Sequence, residues 1–217
     1  MSGTGTPASL TVGCVLAGGQ SRRMGGGDKC LIDLGDRPML AHVIDALRPQ
    51  VSTVVLNANG DPDRFARFGL PVMPDPVEGF VGPLGGILAG LLWARENAPE
   101  ARWVATAASD TPFFPRDLVL RLAEAIDCRD GHIALAKSDD WIHPVFGLWP
   151  VSLADDLDRA VRIEDLHKVM VWVDRHPNVQ VSFEWREING TRIDPFFNAN
   201  TPEDFARALD VVGELEA

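Results

Sequence analysis

A glycine-rich loop that follows a short apolar segment constrains this sequence more than any other feature. Residues 12–17 form a brief apolar run with β-branched side chains, and glycine follows them, which predicts a buried strand rather than a helix. Five of the ten residues in 18–27 are glycine, so the backbone can approach a ligand with no Cβ in the way. Such a loop offers N–H donors to an anion, and Arg22, Arg23 and Lys29 add positive charge. The pattern predicts a phosphate-binding loop.

The loop fits neither of two common phosphate-binding motifs. A Walker A motif places Ser or Thr directly after its lysine, whereas Cys30 follows Lys29 here. A dinucleotide-binding fingerprint requires Gly-x-Gly-x-x-Gly at the start of a helix, and Gly18-Gly19-Gln20 does not supply it. Glycine content alone leaves open a flexible surface loop that binds nothing.

Length and charge bound the class of protein. The 217 residues can form one domain with a substantial core, which we place at residues 10–217 after a flexible tail at residues 1–9. The net charge of -11 argues against nucleic acid or an anionic membrane as a partner, because both are bound through basic patches. An acidic protein that binds a triphosphate must concentrate its cations locally, with a metal ion supplying the rest.

The cysteines and the hydropathy pattern suggest a compartment. Cys14, Cys30 and Cys128 are odd in number and form no Cys-x-x-Cys pair, so neither a disulfide framework nor a zinc site is indicated. They suit a reducing environment. No signal peptide is apparent and no window has the length of a transmembrane helix, so we expect a cytoplasmic protein.

Strands and helices alternate along the first part of the chain. Apolar runs predict strands at 51–56, 70–73 and 103–107, and helical spacing predicts helices from Pro38, over 87–93 and over 115–126, with a glycine-rich turn at 79–86 between them. This alternation predicts an α/β fold with a Rossmann-like, doubly wound and mostly parallel sheet.

Polar residues follow three of these predicted strands. Gly18, Asn57 and Asp75 would gather at the carboxyl ends of parallel strands, where ligands bind, although Asn and Asp are also ordinary turn residues. Asp110 follows the strand at 103–107 and is well placed to hold Mg²⁺ against phosphate oxygens. The alternative for Asp110 is a helix cap, but the next helix is predicted to begin later, at Pro115.

The second part of the chain predicts further strands at 133–136, 141–149 and 179–183 and helices at 151–161 and 166–173, with an irregular segment at 184–194. Thr201 and Pro202 have the pattern of an N-cap and N1, so a terminal helix is expected to run towards Leu215. Asn198 and Asn200 lie two apart on one face of an extended segment, although both are also common in turns.

The loop motif resembles the signature of nucleotidyltransferases that act on nucleoside triphosphates. Leu16-Ala17-Gly18-Gly19, then Arg23-Met24-Gly25 and Asp28-Lys29 carry the resemblance, and the agreement is strongest with the molybdenum cofactor guanylyltransferases, which join GMP from GTP to molybdopterin. The resemblance extends to Asp110, to His143-Pro144 and to the Asn-x-Asn-Thr-Pro segment at 198–202. It implies a nucleotide-diphospho-sugar transferase type of fold and a Mg²⁺-dependent enzyme.

The resemblance also assigns roles to residues. It implies that Lys29, Arg23 and Asp110 are catalytic and that Asp110 binds Mg²⁺. The candidate GTP-binding residues, taken from the resemblance and from the predicted strand ends together, are Leu16, Ala17, Gly18, Gly19, Lys29, Asn57, Asp75, Gly82, Pro83, Leu84 and Asp110. His143, Asn198 and Asn200 are implied to contact the molybdopterin acceptor, although a single His before Pro is more often structural. Transient contact with proteins that deliver or insert the cofactor is a further expectation.

The base and the acceptor are less constrained than the reaction type. We hypothesise that Asp75 accepts hydrogen bonds from N1–H and the 2-amino group of guanine, a pairing that cytosine does not offer in the same form. The alternatives are a cytidylyltransferase for the molybdopterin cofactor, another sugar-phosphate nucleotidyltransferase, and a nucleotide sensor without catalytic activity. A pure sensor has no evident need for a metal-binding carboxylate, which speaks against it.

Overall fold

The computed structural model of the chain describes residues 6–18, 28–79, 81–188 and 191–215. The strands are β1 Thr11–Leu16, β2 Asp33–Leu34, β3 Arg37–Pro38, β4 Thr53–Asn57, β5 Val72–Met73, β6 Trp103–Ala108, β7 Ile133–Ser138, β8 Trp141–Pro150, β9 Asn178–Ser182, β10 Arg186–Ile188 and β11 Thr191–Ile193. The α-helices are α1 Met39–Leu47, α2 Pro83–Asn97, α3 Leu118–Ala125, α4 Ala154–Arg162, α5 Val169–Val173 and α6 Pro202–Leu215. Short 3₁₀ helices lie at Ala8–Leu10, Lys29–Leu31, Arg48–Gln50, Pro62–Phe68 and Val151–Leu153.

In the described part of the chain, seven strands form one sheet in the order β5-β4-β1-β6-β8-β7-β9. β1 pairs in parallel with both β4 and β6, whereas β8 runs antiparallel to both β6 and β7. The chain leaves β1 towards β4 and β5 and then returns to the other side of β1 at β6. This reversal confirms the predicted doubly wound, mostly parallel sheet and creates a crevice at the strand ends.

The sheet is covered on both faces, which explains why its central strands are apolar throughout. Val15 of β1 packs with α1 and α3 on one face, and Val12 and Cys14 pack on the other face with α2, α4 and α5. The fully buried Trp149 and Trp172 lie in the second layer, with ring centroids 6.0 Å apart. A smaller cluster beneath α6 contains Leu34, Met39 and Val212.

α2 begins earlier than predicted, at Pro83 rather than at residue 87, so the prediction of a turn through residues 83–86 is wrong. Proline suits the first helical position because it lacks an N–H that would have no partner there. Gly82 precedes it with φ 62° and ψ -154°, a backbone conformation that only glycine adopts readily. Glycine inside the helix suggested a turn, whereas tertiary packing decides in favour of a helix.

Residues 184–194 were predicted to be irregular, and that prediction is wrong for two short segments. β10 and β11 pair antiparallel, with Arg186 opposite Ile193 and Ile188 opposite Thr191. The sequence carries Asn189-Gly190 between them, a dipeptide that strongly favours hairpins. The signal was therefore present in the sequence.

No helix of the described ranges is long and apolar enough to cross a membrane.

Candidate active site

A cavity of about 240 Å³ lies where the predicted strand ends meet. β1, β4 and β6 are adjacent and parallel, so their carboxyl ends open at the same edge of the sheet. The lining residues are Leu16, Ala17, Gly18, Asp28, Lys29, Cys30, Asn57, Asp75, Gly82, Pro83, Gly86, Ala108, Ser109, Asp110 and Val145. The antiparallel strand β8 contributes Val145, because its first half lies at this edge.

Lys29 lies on one side of the cavity, at the start of a 3₁₀ helix, and its side chain is 9% exposed. Its Nζ donates a hydrogen bond to Asn200 Oδ1 at 2.8 Å and lies 3.9 Å from Asp110 Oδ2. Burial lowers the pKa of Lys29, and the Asp110 charge opposes that shift. Lys29 is therefore a poorly hydrated cation that can bind an anion in the cavity.

Asp110 follows β6 and faces Lys29. Burial raises the pKa of the Asp110 carboxyl, and the Lys29 ammonium partly offsets the shift. The backbone carbonyl of Asp110 accepts a hydrogen bond from Ala199 N at 3.0 Å, and Thr111 Oγ1 donates to Asn198 Oδ1. The segment before α6 is thus attached to the end of β6.

Asp75 lies on the opposite side of the cavity and is held by two asparagine amides. Asn57 Nδ2 donates to Asp75 Oδ1 at 2.9 Å, and Asn59 Nδ2 donates to Asp75 Oδ2 at 2.8 Å. Asn59 Oδ1 also accepts from the backbone N–H of Asp75 at 2.8 Å. The carboxylate is fixed in orientation and retains lone pairs that can accept from a ligand.

Two glycines in the first turn of α2 allow the helix to approach these polar groups closely. A Cβ at Gly86 would lie 2.4 Å from Asn57 Oδ1, and a Cβ at Gly85 would lie 2.6 Å from a methyl of Val81 and 3.0 Å from Asp75 Cγ. Because such contacts are too short for any side chain, the glycines are required by packing. They bring the positive N-terminal end of the α2 dipole to the cavity wall.

His143 lies near the same edge but does not line the cavity. Its Nε2 lies 2.7 Å from Ser138 Oγ, which donates to Asp194 Oδ2 at 2.9 Å, and its ring packs on Phe196 with centroids 4.4 Å apart. Burial lowers the pKa of His143, and the Asp194 charge opposes that shift. These contacts attach β7 and β8 to the segment after β11.

The family model of the MobA-like NTP transferase domain matches residues 13–179. The chain belongs to this family. The match spans the loop, the strands that surround the cavity and both glycines of α2. It confirms the resemblance that the loop motif carries.

Similar proteins support the same assignment. The chain is 52% identical over 202 residues to a molybdenum cofactor guanylyltransferase of Rhodopseudomonas palustris (strain BisB5), with 93% of each chain covered. It is 51% identical to a protein of the same name from Mesorhizobium japonicum, with 94% of this chain and 96% of the relative covered.

Solved structures share the fold of this MobA-like NTP transferase. The molybdopterin-guanine dinucleotide biosynthesis protein A of Archaeoglobus fulgidus matches with a TM-score of 0.71 at 23% identity, covering 93% of this chain and 98% of that one. A Mycobacterium tuberculosis protein in complex with manganese matches with a TM-score of 0.64 at 18% identity, covering 94% and 99%.

The cavity of this MobA-like NTP transferase brings together most of the residues that the sequence suggested for nucleotide binding. They are Leu16, Ala17, Gly18, Lys29, Asn57, Asp75, Gly82, Pro83 and Asp110. Leu84 does not line the cavity; it lies in α2 and its side chain is fully buried in the core. Asn198 and Asn200 are exposed beside the cavity and contact Thr111 and Lys29. Gly19 and Arg23 lie outside the described residues.

The donor chemistry of the MobA-like site fits Mg²⁺. No group of three or more His, Cys, Asp and Glu side chains that could hold a metal by itself occurs within residues 6–18, 28–79, 81–188 and 191–215. Mg²⁺ is commonly held by one or two carboxylates together with waters and substrate phosphates. Asp110 supplies one partly exposed carboxylate, and Asn198 supplies an amide oxygen nearby. This arrangement suits a metal that arrives with the nucleotide.

Several residues of the site had no role predicted from the sequence. Asp28, Cys30 and Ser109 line the cavity, and Asn59 and Thr111 position residues that line it or adjoin it. Asn59 could have been found, because it lies two residues after Asn57 and side chains two apart in an extended segment share a face. For Thr111 the pattern offered no signal, because its partner Asn198 is 87 residues away.

Proposed function

We propose that this protein transfers GMP from GTP to molybdenum-molybdopterin, forming the molybdopterin guanine dinucleotide cofactor and pyrophosphate. The observation that carries the proposal is the cavity in which Lys29 and Asp110 face each other on one side and Asp75 is clamped on the other. The Lys29 cation suits the phosphates, and the Asp110 carboxylate suits a metal ion bound to them. The fixed Asp75 carboxylate suits the nucleobase. Relatives that carry the guanylyltransferase name support this reading.

The chemistry requires alignment and charge neutralisation. A terminal phosphate oxygen of the acceptor attacks the α-phosphorus of GTP, the bond from that phosphorus to the bridging oxygen breaks, and pyrophosphate leaves. The nucleophile is already an anion, so no general base is required. Lys29 stabilises the negative charge that develops on the leaving pyrophosphate, and Arg23 and the loop N–H groups contribute to the same stabilisation.

Mg²⁺ is the metal that we propose for the site. Asp110 would hold it, with Asn198 close by, and when bound it neutralises charge on phosphate oxygens. Without a metal, burial raises the pKa of Asp110 and so favours its protonated form. Ionised Asp110 is thus favoured both by Lys29 and by a bound cation.

Asp75 is the proposed reader of the base. Its two oxygens accept from Asn57 and Asn59, and each oxygen has a second lone pair. Guanine N1–H and the 2-amino group are parallel donors that match such a carboxylate. On this basis GTP is the preferred nucleotide.

The acceptor would lie on the side of the cavity formed by the segment before α6. Asn198 and Asn200 are exposed there, and Asn200 contacts Lys29. We propose that Asn198, Asn200 and His143 contact the molybdopterin, with His143 outside the lining of the cavity. Transient contact with proteins that deliver or receive the cofactor, and a cytoplasmic location, belong to the same proposal.

Pyrophosphate release by the purified protein tests the reaction. GTP, CTP, ATP and UTP are offered in turn with molybdenum-loaded molybdopterin, with Mg²⁺ or with EDTA. We expect release with GTP only, and only when Mg²⁺ is present. Release with CTP instead would assign the cytidylyltransferase activity, and tight GTP binding with no release for any nucleotide would favour a sensor. Pyrophosphate release that is unchanged in EDTA would contradict the proposed role of Mg²⁺.

A further inference from the structure

Arg64 does not line the cavity, yet it contacts two of the segments that build it. It lies on the 3₁₀ helix Pro62–Phe68 and its side chain is 29% exposed. Its Nε lies 2.5 Å from Asp28 Oδ2, and its Nη2 donates to the backbone carbonyl of Asn59 at 2.5 Å. The contact with Asp28 is ionic, because this Nε forms no hydrogen bond within the described residues.

Each of the two contacts leads to a residue of the nucleotide site. Asp28 lines the cavity and directly precedes Lys29, and its backbone carbonyl accepts from Leu31 N at 2.9 Å. Asn59 holds Asp75 with both ends of its side-chain amide. Arg64 therefore joins the side of the cavity that carries Lys29 to the side that carries Asp75.

The surroundings of Arg64 fix its guanidinium in this position. The group lies 4.8 Å from the centroid of the Phe65 ring, a cation–π distance. A Cβ at Gly60, which has φ 87°, would lie 2.9 Å from Arg64 Nη1, so the guanidinium packs directly against the backbone of Gly60. Asp28 is 26% exposed, so the ion pair is less screened by water than one on an open surface.

We propose that Arg64 is a positioning residue that holds the Lys29 segment and the Asp75 clamp in register for nucleotide binding. The effect on GTP rests on the proposed function; the restraint on residues 28–32 does not. Loss of Arg64 leaves the Asp28 carboxylate without this cation and the backbone carbonyl of Asn59 without its side-chain donor. Because Asp75 would bind the base and Lys29 would stabilise the charge of the leaving pyrophosphate, the result is a lower kcat/KM for GTP, through KM and kcat together.

The test compares Arg64→Gln, Asp28→Asn and the double variant with Arg67→Gln. Arg67 lies on the same 3₁₀ helix, is exposed and stacks on Phe68, so it is a matched control. Steady-state turnover gives KM for GTP and kcat. We expect each single variant to lower kcat/KM for GTP by about fivefold to tenfold, the size of a partly exposed ion pair. The double variant should be no worse than the more affected single variant, because both remove the same contact.

Hydrogen exchange in the ligand-free protein separates the two proposals. The amides of Leu31 and Ile32 donate to the carbonyls of Asp28 and Lys29, so they report the order of this segment. We expect them to exchange faster in Arg64→Gln and at the wild-type rate in Arg67→Gln. Unchanged exchange in Arg64→Gln, a kcat/KM equal to that of the wild type, or additive effects on kcat/KM in the double variant would each overturn the positioning role. A wild-type protein that neither binds nor turns over GTP would overturn the proposed function, and the exchange rates would still decide the role of Arg64.

Discussion

Lys29 and Asp110 each favour the charged form of the other, but burial opposes this effect because it favours the neutral form of both groups. The pKa of Asp110 lies above its usual 3.8 and that of Lys29 lies below its usual 10.5, each mainly through loss of hydration. The proposed mechanism requires an ionised Asp110 and a protonated Lys29, so we expect activity to be lost as the pH falls through the pKa of Asp110 and as it rises through that of Lys29. Both limits therefore lie closer to neutrality than the ordinary values.

The pH dependence of kcat/KM for GTP checks this arrangement, since it reports ionisations of the free enzyme. We expect a bell-shaped profile whose alkaline limb lies below pH 10.5. Lys29→Arg should move that limb to higher pH, because a guanidinium keeps its proton. An alkaline limb in the same place in Lys29→Arg would show that another group titrates there.

Removal of the Lys29 cation should affect catalysis more than folding. We expect Lys29→Ala to lower kcat/KM for GTP by about 10²–10³-fold, the usual effect of deleting one donor that stabilises developing charge. Turnover and thermal unfolding are measured together. Arg116→Ala, at an exposed position before α3, is the control and should keep full activity. Activity within about twofold of the wild type in Lys29→Ala would contradict the proposed role.

Gly86 can be tested against a second glycine of the same helix. A Cβ at Gly86 meets Asn57 Oδ1 at 2.4 Å, whereas one at Gly90 meets Cys14 Cβ at 3.1 Å in the core. We expect Gly86→Ala to displace Asn57 and to lower kcat/KM for GTP by about a hundredfold, since small misplacements at a site have large effects. Gly90→Ala should lower the melting temperature and leave kcat/KM nearly unchanged. Equal kinetics for the two variants would contradict this difference.

At the scale of elements, the start of α6 is the one whose prediction from sequence is confirmed in most detail. Thr201 Oγ1 accepts from Asp204 N at 3.1 Å, and Asp204 Oδ2 accepts from Thr201 N at 2.9 Å. This reciprocal pair is a capping box with aspartate in the second position. Burial alone raises the pKa of Asp204, but the hydrogen bonds from Thr201 and Asn200 and the charge of Lys29 outweigh it, and the pKa is lowered. The cap therefore stabilises the helix at neutral pH and weakens as the pH falls through that lowered value.

Loss of the cap should destabilise the fold by a small, measurable amount. We expect Thr201→Ala to lower the free energy of unfolding by about 1 kcal/mol, which corresponds to about 2–4 °C in melting temperature for a chain of this size. Thermal unfolding by circular dichroism measures it. Ala206→Gln, at an exposed position in the same helix, should change the melting temperature by less. An unchanged melting temperature in Thr201→Ala would show that α6 is held by its packing alone.

α2 and the β10–β11 hairpin show where element prediction failed. Glycine is a poor helix former in isolation, so Gly85 and Gly86 favoured a turn. The helix forms because its core face is buried, with Leu84, Ile87 and Leu88 fully inaccessible to solvent. The hairpin carried the local signal Asn189-Gly190, but short strands with polar side chains lack a clear period of two. For α2 tertiary contacts outweighed composition, whereas for the hairpin the local signal was present and was overlooked.

At the scale of the whole molecule, nucleotide binding should appear as added stability. The cavity is formed by β1, β4, β6 and the N-terminus of α2, which are all distant in sequence and all required for the folded state. A ligand that binds only the folded chain stabilises it by about 2.7 kcal/mol at a hundred times its Kd. We expect GTP to raise the melting temperature by several degrees and CTP to raise it less. Equal shifts for GTP and CTP would contradict the proposed base preference.

The order of apolar and polar segments was enough to determine the architecture. Strands β1, β4 and β6 are mostly apolar, and Gly18, Asn57 and Asp110 lie at or just beyond their ends, because in a parallel sheet both faces are buried and ligands bind at the carboxyl ends. Gly18, Asn57, Asp75 and Asp110 could therefore be assigned to strand ends at one edge before any coordinates. These are local patterns that survive without knowledge of contacts.

The partners of those residues were decided only by the tertiary structure. The hydrogen bond between Lys29 and Asn200 joins residues 171 positions apart. The ion pair between Arg64 and Asp28 also joins distant residues, and no sequence motif links the two. Leu84 was assigned to the nucleotide by its motif. It instead lies in the first turn of α2, which begins at Pro83, and its side chain is buried in the core. Side-chain direction and the pairing of distant polar groups depend on how elements pack, and a linear pattern does not specify that packing.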